Sequence, residues 1–150
     1  MFHSFAETMG ETNDKERAFL AQAFPVFMKY GIKSVTMDDL ARRLGMSKKT
    51  IYTFVKDKND LVKKILIFQH MGEKAIIDGI CSKGLNAIDE MFEIGHFVSS
   101  LLSDMHPSIH YDLEKYHQEA FQEMSEAHEA SVYECIFTNL NKGISEGHHV

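Results

Sequence analysis

Apolar residues recur along this chain at intervals of three and four, and no sustained two-residue alternation interrupts them. The pattern predicts an all-α protein. A first helix starts at Asn13, where Glu16 completes a capping pair, and runs to about Tyr30 with Phe19, Ala23, Phe27 and Tyr30 on one face. Pro25 inside it predicts a kink, and Gly31 supplies the stop. Three helix starts then follow closely: Thr36 with Asp39, Ser47 with Thr50, and Asp57 with Asp60. Leu40, Ala41 and Leu44 form the inner face of the first of these short helices, and Gly45 ends it.

From Lys58 to about Asp78, Leu61, Val62, Ile65, Leu66, Gln69, Gly72 and Ile76 mark a long amphipathic helix. GICSKG, residues 79–84, reads as a connection. Leu85, Ile88, Met91, Phe92, Gly95, Val98, Leu101 and Leu102 mark a further helix that ends before Pro107. From Ser108 to about Lys142 there are one or two more, with a break expected in AFQEMSEAHEA. One apolar stripe of this tail runs through Leu113, Tyr116, Ala120, Met124, Ala127, Ser131 and Cys135, and another through Val132, Ile136 and Leu140.

The two short helices flanking Gly45 have the spacing of a helix-turn-helix. Ala41 permits close approach of the second helix, Gly45 makes the turn, and Ile51 faces inward to fix the crossing angle. With Ile51 and Val55 inward, Lys48, Lys49, Tyr52 and Thr53 are left on the outer and N-terminal surface. Charge sharpens the picture. The chain carries a net −6, yet residues 29–64 hold ten basic and four acidic side chains (+6), against four and fourteen (−10) in residues 65–150. A basic block within an acidic chain suits contact with a polyanion, and such a helix suits the major groove of double-stranded DNA.

The stretch resembles the DNA-binding domain of the TetR family of transcriptional regulators. The resemblance covers roughly residues 17–66, from FLAQAFPVFMKYGI through SVTMDDLARRLGMSKKTIY to KDKNDLV. It implies a three-helix DNA-binding head at residues 13–57, a linking helix from 58 to about 78, and a helical ligand-binding and dimerisation body over 58–150. It also implies a homodimer on a palindromic operator, as a ligand-responsive repressor. Carried over by position, Thr36 and the main-chain amide of Met37 match phosphate contacts. Lys48, Lys49, Thr50, Tyr52 and Thr53 match recognition-helix contacts, and Lys58 matches the lysine that opens the fourth helix and touches a phosphate. The chain departs from the family's pattern at Phe54, where His or Tyr is common, and at Val55, where Phe is. Members usually continue with two more helices that form the dimer interface, so the expectation is a short or truncated member, or a fragment, that self-associates through residues near 113–140.

The remaining candidate chemistry is sparse. Met71, Met91, Phe92, Phe97, Met105, Phe121 and Met124 are adaptable apolar side chains that suit either packed core or a cavity for a small hydrophobic effector. His106, His110, Glu114 and His117 have a spacing that suits a zinc or copper set, but an exposed helical face shows the same spacing, and the expectation is no metal and no cofactor. Cys81 and Cys135 read as buried free thiols. No GxSxG elbow, phosphate-binding Gly loop, HExxH or paired-carboxylate constellation occurs, so an enzyme is not expected. The competing expectation is a helical protein-protein interaction or adaptor protein without specific DNA binding. With no signal peptide and no long apolar run, a cytoplasmic location and no membrane partner are expected.

Overall fold

The computed structural model describes residues 14–148. Seven helices occur in that span: α1 (Asp14–Tyr30), α2 (Met37–Leu44), α3 (Lys48–Phe54), α4 (Lys58–Cys81), α5 (Ala87–Asp104), α6 (Ile109–Tyr116) and α7 (Gln118–Ser145). No strand occurs among the described residues, and none of these helices is long and apolar enough to cross a membrane. The cap expected at Asn13 lies outside the described residues. Pro25 sits within α1, which continues through it to Tyr30.

The chain divides into two compact units. Within the described span, the first comprises residues 14–69 and Met105–Met124, and the second comprises His70–Asp104 and residues 125–148. The first unit is thus larger than the helix-turn-helix segment, because its core draws on distant parts of the chain. Phe19, Leu20, Ala23 and Phe27 of α1 pack with Leu40, Ala41, Ile51 and Val55, with Leu61, Val62, Ile65 and Leu66 of α4, and with Ile109 and Leu113 of α6. Helices of seven or eight residues are unstable alone, so α2, α3 and α6 exist because each seals one side of this shared core.

A buried carboxylate joins α6 to the turn after α1. Asp112 Oδ2 accepts the backbone N–H groups of Ile32 (3.2 Å) and Lys33 (3.0 Å), and the Ser108 hydroxyl (3.3 Å). The N–H of His106 donates to the carbonyl of Met28 at 3.0 Å. Gly31 makes this approach possible: its φ is +86°, and a Cβ there would lie 2.7 Å from Ser108 Oγ.

The second unit has a polar lock of its own. Glu90 of α5 is buried and accepts from Asn139 Nδ2 (3.0 Å) and Lys142 Nζ (2.6 Å) of α7, while Asn139 also donates to the carbonyl of Ala87 at 2.9 Å. Burial raises the Glu90 pKa, but the hydrogen bonds from Lys142 and Asn139 and the Lys142 charge outweigh it and bring the carboxyl below its ordinary range.

Several expectations need correction. The tail breaks at His117, whose backbone leaves the helical region, and α7 runs unbroken through AFQEMSEAHEA. The break lets Leu113 reach the first unit's core from α6 and Phe121 and Met124 reach it from α7. The helix expected before Pro107 is α5, in which Ala87, Glu90 and Ile94 are buried and Ile88, Phe92, Val98 and Leu102 are exposed. The Glu90 lock fits this rotation, in which the carboxylate faces Asn139 and Lys142. The cysteines are free but not buried: Cys81 is exposed at the end of α4, and Cys135 is only half-buried. Helix α4 also outruns its expected end at Asp78 by three residues.

Two measurements check this account. Gly45→Ala and Gly31→Ala both force a side chain into positive φ, about 1–2 kcal/mol, but only Gly31→Ala also displaces Ser108 from Asp112. Urea titration is therefore expected to show Gly31→Ala as the more destabilising, at about 2–4 kcal/mol in total. Lys142→Met leaves the buried Glu90 carboxylate with Asn139 as its remaining donor, and urea titration is expected to show the variant as less stable than the parent near neutral pH. Since the folded pKa of Glu90 is depressed, its stabilising contribution is complete above the unfolded value near 4.5 and is lost as pH falls through the folded one. The stability difference between parent and variant is expected to shrink below pH 4.5.

Candidate nucleic-acid interface

Local chemistry explains how the helix-turn-helix holds its shape. Thr36 Oγ1 accepts the N–H of Asp39 at 3.1 Å while Asp39 Oδ2 accepts the N–H of Thr36 at 3.0 Å, so a reciprocal capping box opens α2 with Asp in the place usually taken by Glu. At the other end, Gly45 adopts φ 63°, ψ 31°, its N–H reaches the carbonyl of Arg42, and the N–H of Met46 reaches the carbonyl of Ala41 at 3.0 Å. This is a Schellman closure, and it reverses the chain in two residues. Ser47 Oγ then accepts the N–H of Thr50 at 3.1 Å to open α3. Asp57 caps α4 in the same way through the N–H of Asp60 at 2.8 Å.

These turns fix which way α3 faces. Ile51 is fully buried and Val55 nearly so, and Ala41 lies in the same core. Phe54 stacks on Phe19 with ring centroids 5.1 Å apart, so both residues that depart from the expected pattern, Phe54 and the buried Val55, are packing residues here. Lys64 closes the end of α3 from α4: its ammonium donates to the carbonyl of Phe54 at 2.7 Å and pairs with Glu16 (3.1 Å) and Asp60 (3.6 Å). That role of Lys64 has no local sequence signal beyond its four-residue spacing from Asp60.

Lys48, Lys49, Thr50, Tyr52 and Thr53 are all exposed on α3, and Thr36 is exposed beside Met37, which is half-buried at the start of α2. Lys48 Nζ lies 3.2 Å from Asp38 Oδ1 in a solvent-exposed pair of the kind that contributes little to stability. Arg43 adds a cation outside the expected set, its guanidinium carbon 3.8 Å from the centre of the Tyr30 ring. Lys58 is half-buried, and its ammonium donates to the carbonyl of Lys33 at 3.3 Å. Burial lowers the Lys58 pKa, and the charges of Asp112 and Asp39 oppose that shift. Lys58 therefore supports the loop between α1 and α2 as well as standing at the start of α4.

The other candidate sets fare differently. Met105, Phe121 and Met124 pack against the first unit's core; in the second unit Met91 and Phe97 are half-buried, and Met71 and Phe92 are exposed. These seven are thus divided between packing and surface. His106 binds Ser108 Oγ through Nδ1 at 2.9 Å, His110 tilts against the Phe121 ring at 5.0 Å, Glu114 is exposed, and His117 terminates α6. They do not converge as a ligand set. Among the described residues a different group does: His70, Glu73 and His128, whose ligand atoms all lie within 4.8 Å of one another. The 54 residues between Glu73 and His128 hid it from any spacing argument.

Residues 19–65 match the family described as "Bacterial regulatory proteins, tetR family". An uncharacterized HTH-type transcriptional regulator of Bacillus subtilis (strain 168), YhgD, is 36% identical over 64 residues, which cover 41% of this chain and 34% of the relative. A second such regulator from the same strain, YvaF, is 28% identical over 108 residues, covering 71% of this chain and 56% of the relative. The matched stretches thus span about a third and about half of these relatives' lengths. Among solved structures, a transcriptional regulator of the TetR/AcrR family from Thermobifida fusca YX-ER1 has a TM-score of 0.63 at 20% identity, over 92% of this chain and 74% of that one. The ketosteroid transcriptional regulator KstR2 of Mycobacterium tuberculosis gives 0.63 at 19% identity, over 92% and 72%. Those likenesses extend the agreement in fold beyond the head. The matched segment coincides with the capped helix-turn-helix, so residues 19–65 are similar to the DNA-binding domain of TetR-type regulators, and the solved structures share the all-helical fold of the chain.

Proposed function

We propose that this protein is a ligand-responsive repressor that binds a palindromic operator as a homodimer, with α3 in the major groove. The observation that carries the reading is the orientation of α3: Ile51 is sealed in the core while Lys48, Lys49, Thr50, Tyr52 and Thr53 all face solvent. Lysine at 48 or 49 can donate to guanine O6 and N7, and the Tyr52 hydroxyl and Thr53 can reach sugar-phosphate. Thr36, the amide of Met37 and Lys58 are assigned to phosphates. On binding, Lys48 exchanges Asp38 for the DNA, which costs little because the pair is exposed.

A second copy is needed because one seven-residue helix reads only a few base pairs. Helix α7 offers a surface for it: Val132, Tyr133, Ile136, Phe137, Leu140 and Ile144 are exposed, Tyr133 by 72% and Phe137 by 57%, and their rings stack at 6.2 Å. A contiguous apolar face of this kind supports a two-fold contact in which the same patch meets itself. We assign the effector to the second unit, as a small hydrophobic compound near half-buried Met91 and Phe97. An effector that weakens operator binding must itself bind the operator complex more weakly, by the same factor.

Operator binding at graded salt tests the docking. Lys58→Ala is expected to weaken binding to all sequences alike and reduce the salt slope by about one, whereas Lys48→Ala also relaxes preference at one base pair by about 1–3 kcal/mol. Parent-like binding by both variants would overturn the assignment of α3. Sedimentation tests the dimer: Phe137→Glu is expected to yield monomers that bind a half-site as the parent does but lose tight binding to the full palindrome. A parent that sediments as a monomer at micromolar concentration would exclude the α7 contact.

A further inference from the structure

Helices α4 and α7 carry, within the second unit, two pairs of polar side chains at matching spacing. His70 and Glu73 lie one turn apart on α4, and His128 and Ser131 lie one turn apart on α7. The two pairs meet. The His70 and His128 rings stand edge to face with centroids 6.5 Å apart, and Ser131 Oγ is 3.4 Å from His70 Nε2. One ligand atom from each of His70, Glu73 and His128 falls inside a span of 4.8 Å. His70 and Glu73 are half-buried and His128 is exposed, so the group has a packed floor and an open side toward solvent.

We infer that His70, Glu73 and His128 form a binding site for a divalent first-row transition ion of the zinc type. Two imidazole nitrogens and one carboxylate oxygen are the donors such ions prefer, whereas calcium and magnesium require sets dominated by oxygen. A tetrahedral ion with bonds of about 2.0–2.1 Å spaces its ligands at about 3.4 Å, so the present group closes around one by small torsional adjustments. Three protein ligands leave a fourth position for water, and Ser131 stands ready to orient the His70 ring by hydrogen bonding. An ion held there ties α4 to α7 at a point where the apo chain has only side-chain contact. This site is independent of the assignment of α3 to DNA, and its test uses no DNA.

Protein stripped with a chelator is titrated with zinc by calorimetry and with cobalt(II) by visible absorption, for the parent, for His128→Ala and for Glu73→Gln. The parent is expected to take up a single ion with a rise in thermal midpoint, and cobalt is expected to develop the intense bands of a tetrahedral site. Loss of a direct ligand should weaken binding by at least about tenfold, since loss of a mere outer partner already costs 10–100-fold in such sites. His128 is exposed, so its removal leaves folding intact, and circular dichroism of the metal-free variant confirms that. Parent-like affinity in both variants would put the ion elsewhere, for instance at His148, and overturn the proposal; so would the absence of saturable uptake by the parent.

Discussion

Everything in the first unit depends on one constraint: α2, α3 and α6 are too short to be helical alone, and only a common interior makes them so. Ile51 illustrates it. That side chain contributes to the core from the middle of α3, and by being sealed there it turns the opposite face of a seven-residue helix toward solvent. The direction in which the exposed face of α3 points is thus a by-product of packing. The caps add precision, because a helix this short has no interior turns to average out an error at its ends, and Thr36, Ser47, Asp57 and Gly45 each hold one end in place by hydrogen bonds formed within a few residues.

Those same bonds explain what was legible beforehand. Capping, the left-handed glycine and the inward Ile51 act over three to six residues, so their signals sit side by side in the chain and the helix-turn-helix could be placed from spacing alone. Asp112 acts across 80 residues, and nothing near it in the chain announces that its carboxylate will serve the amides of Ile32 and Lys33. The helix break at His117 has no glycine or proline to mark it. In α5, apolar residues lie on more than one face, so periodicity could not tell which would be buried, and a single charged residue, Glu90, is buried against partners some 50 positions away. His70, Glu73 and His128 carry no sequence signal for the same reason, since the group joins two helices that lie far apart in the chain.

The two units solve a shared problem by related means. Each contains a buried carboxylate that ties residues far apart in the chain, Asp112 through backbone amides and Glu90 through Asn139 and Lys142. Apolar burial would hold such helices together without choosing among rotations, whereas a carboxylate with two fixed donors accepts only one. In both units the polar group therefore fits one arrangement among those that hydrophobicity leaves open.

The reach of Asp112 also bears on the order in which the protein becomes whole during synthesis. The loop after α1 gains its acceptor only once the chain has grown 80 residues past Ile32. At roughly 5–20 residues per second, the Ile32 amide is made about 4–16 s before its acceptor. When α2 and α3 have been made, one wall of their core is still to come, because Ile109 and Leu113 lie more than 50 residues further along the chain. The exposed face of α3 is encoded early in the chain and gains its full support late.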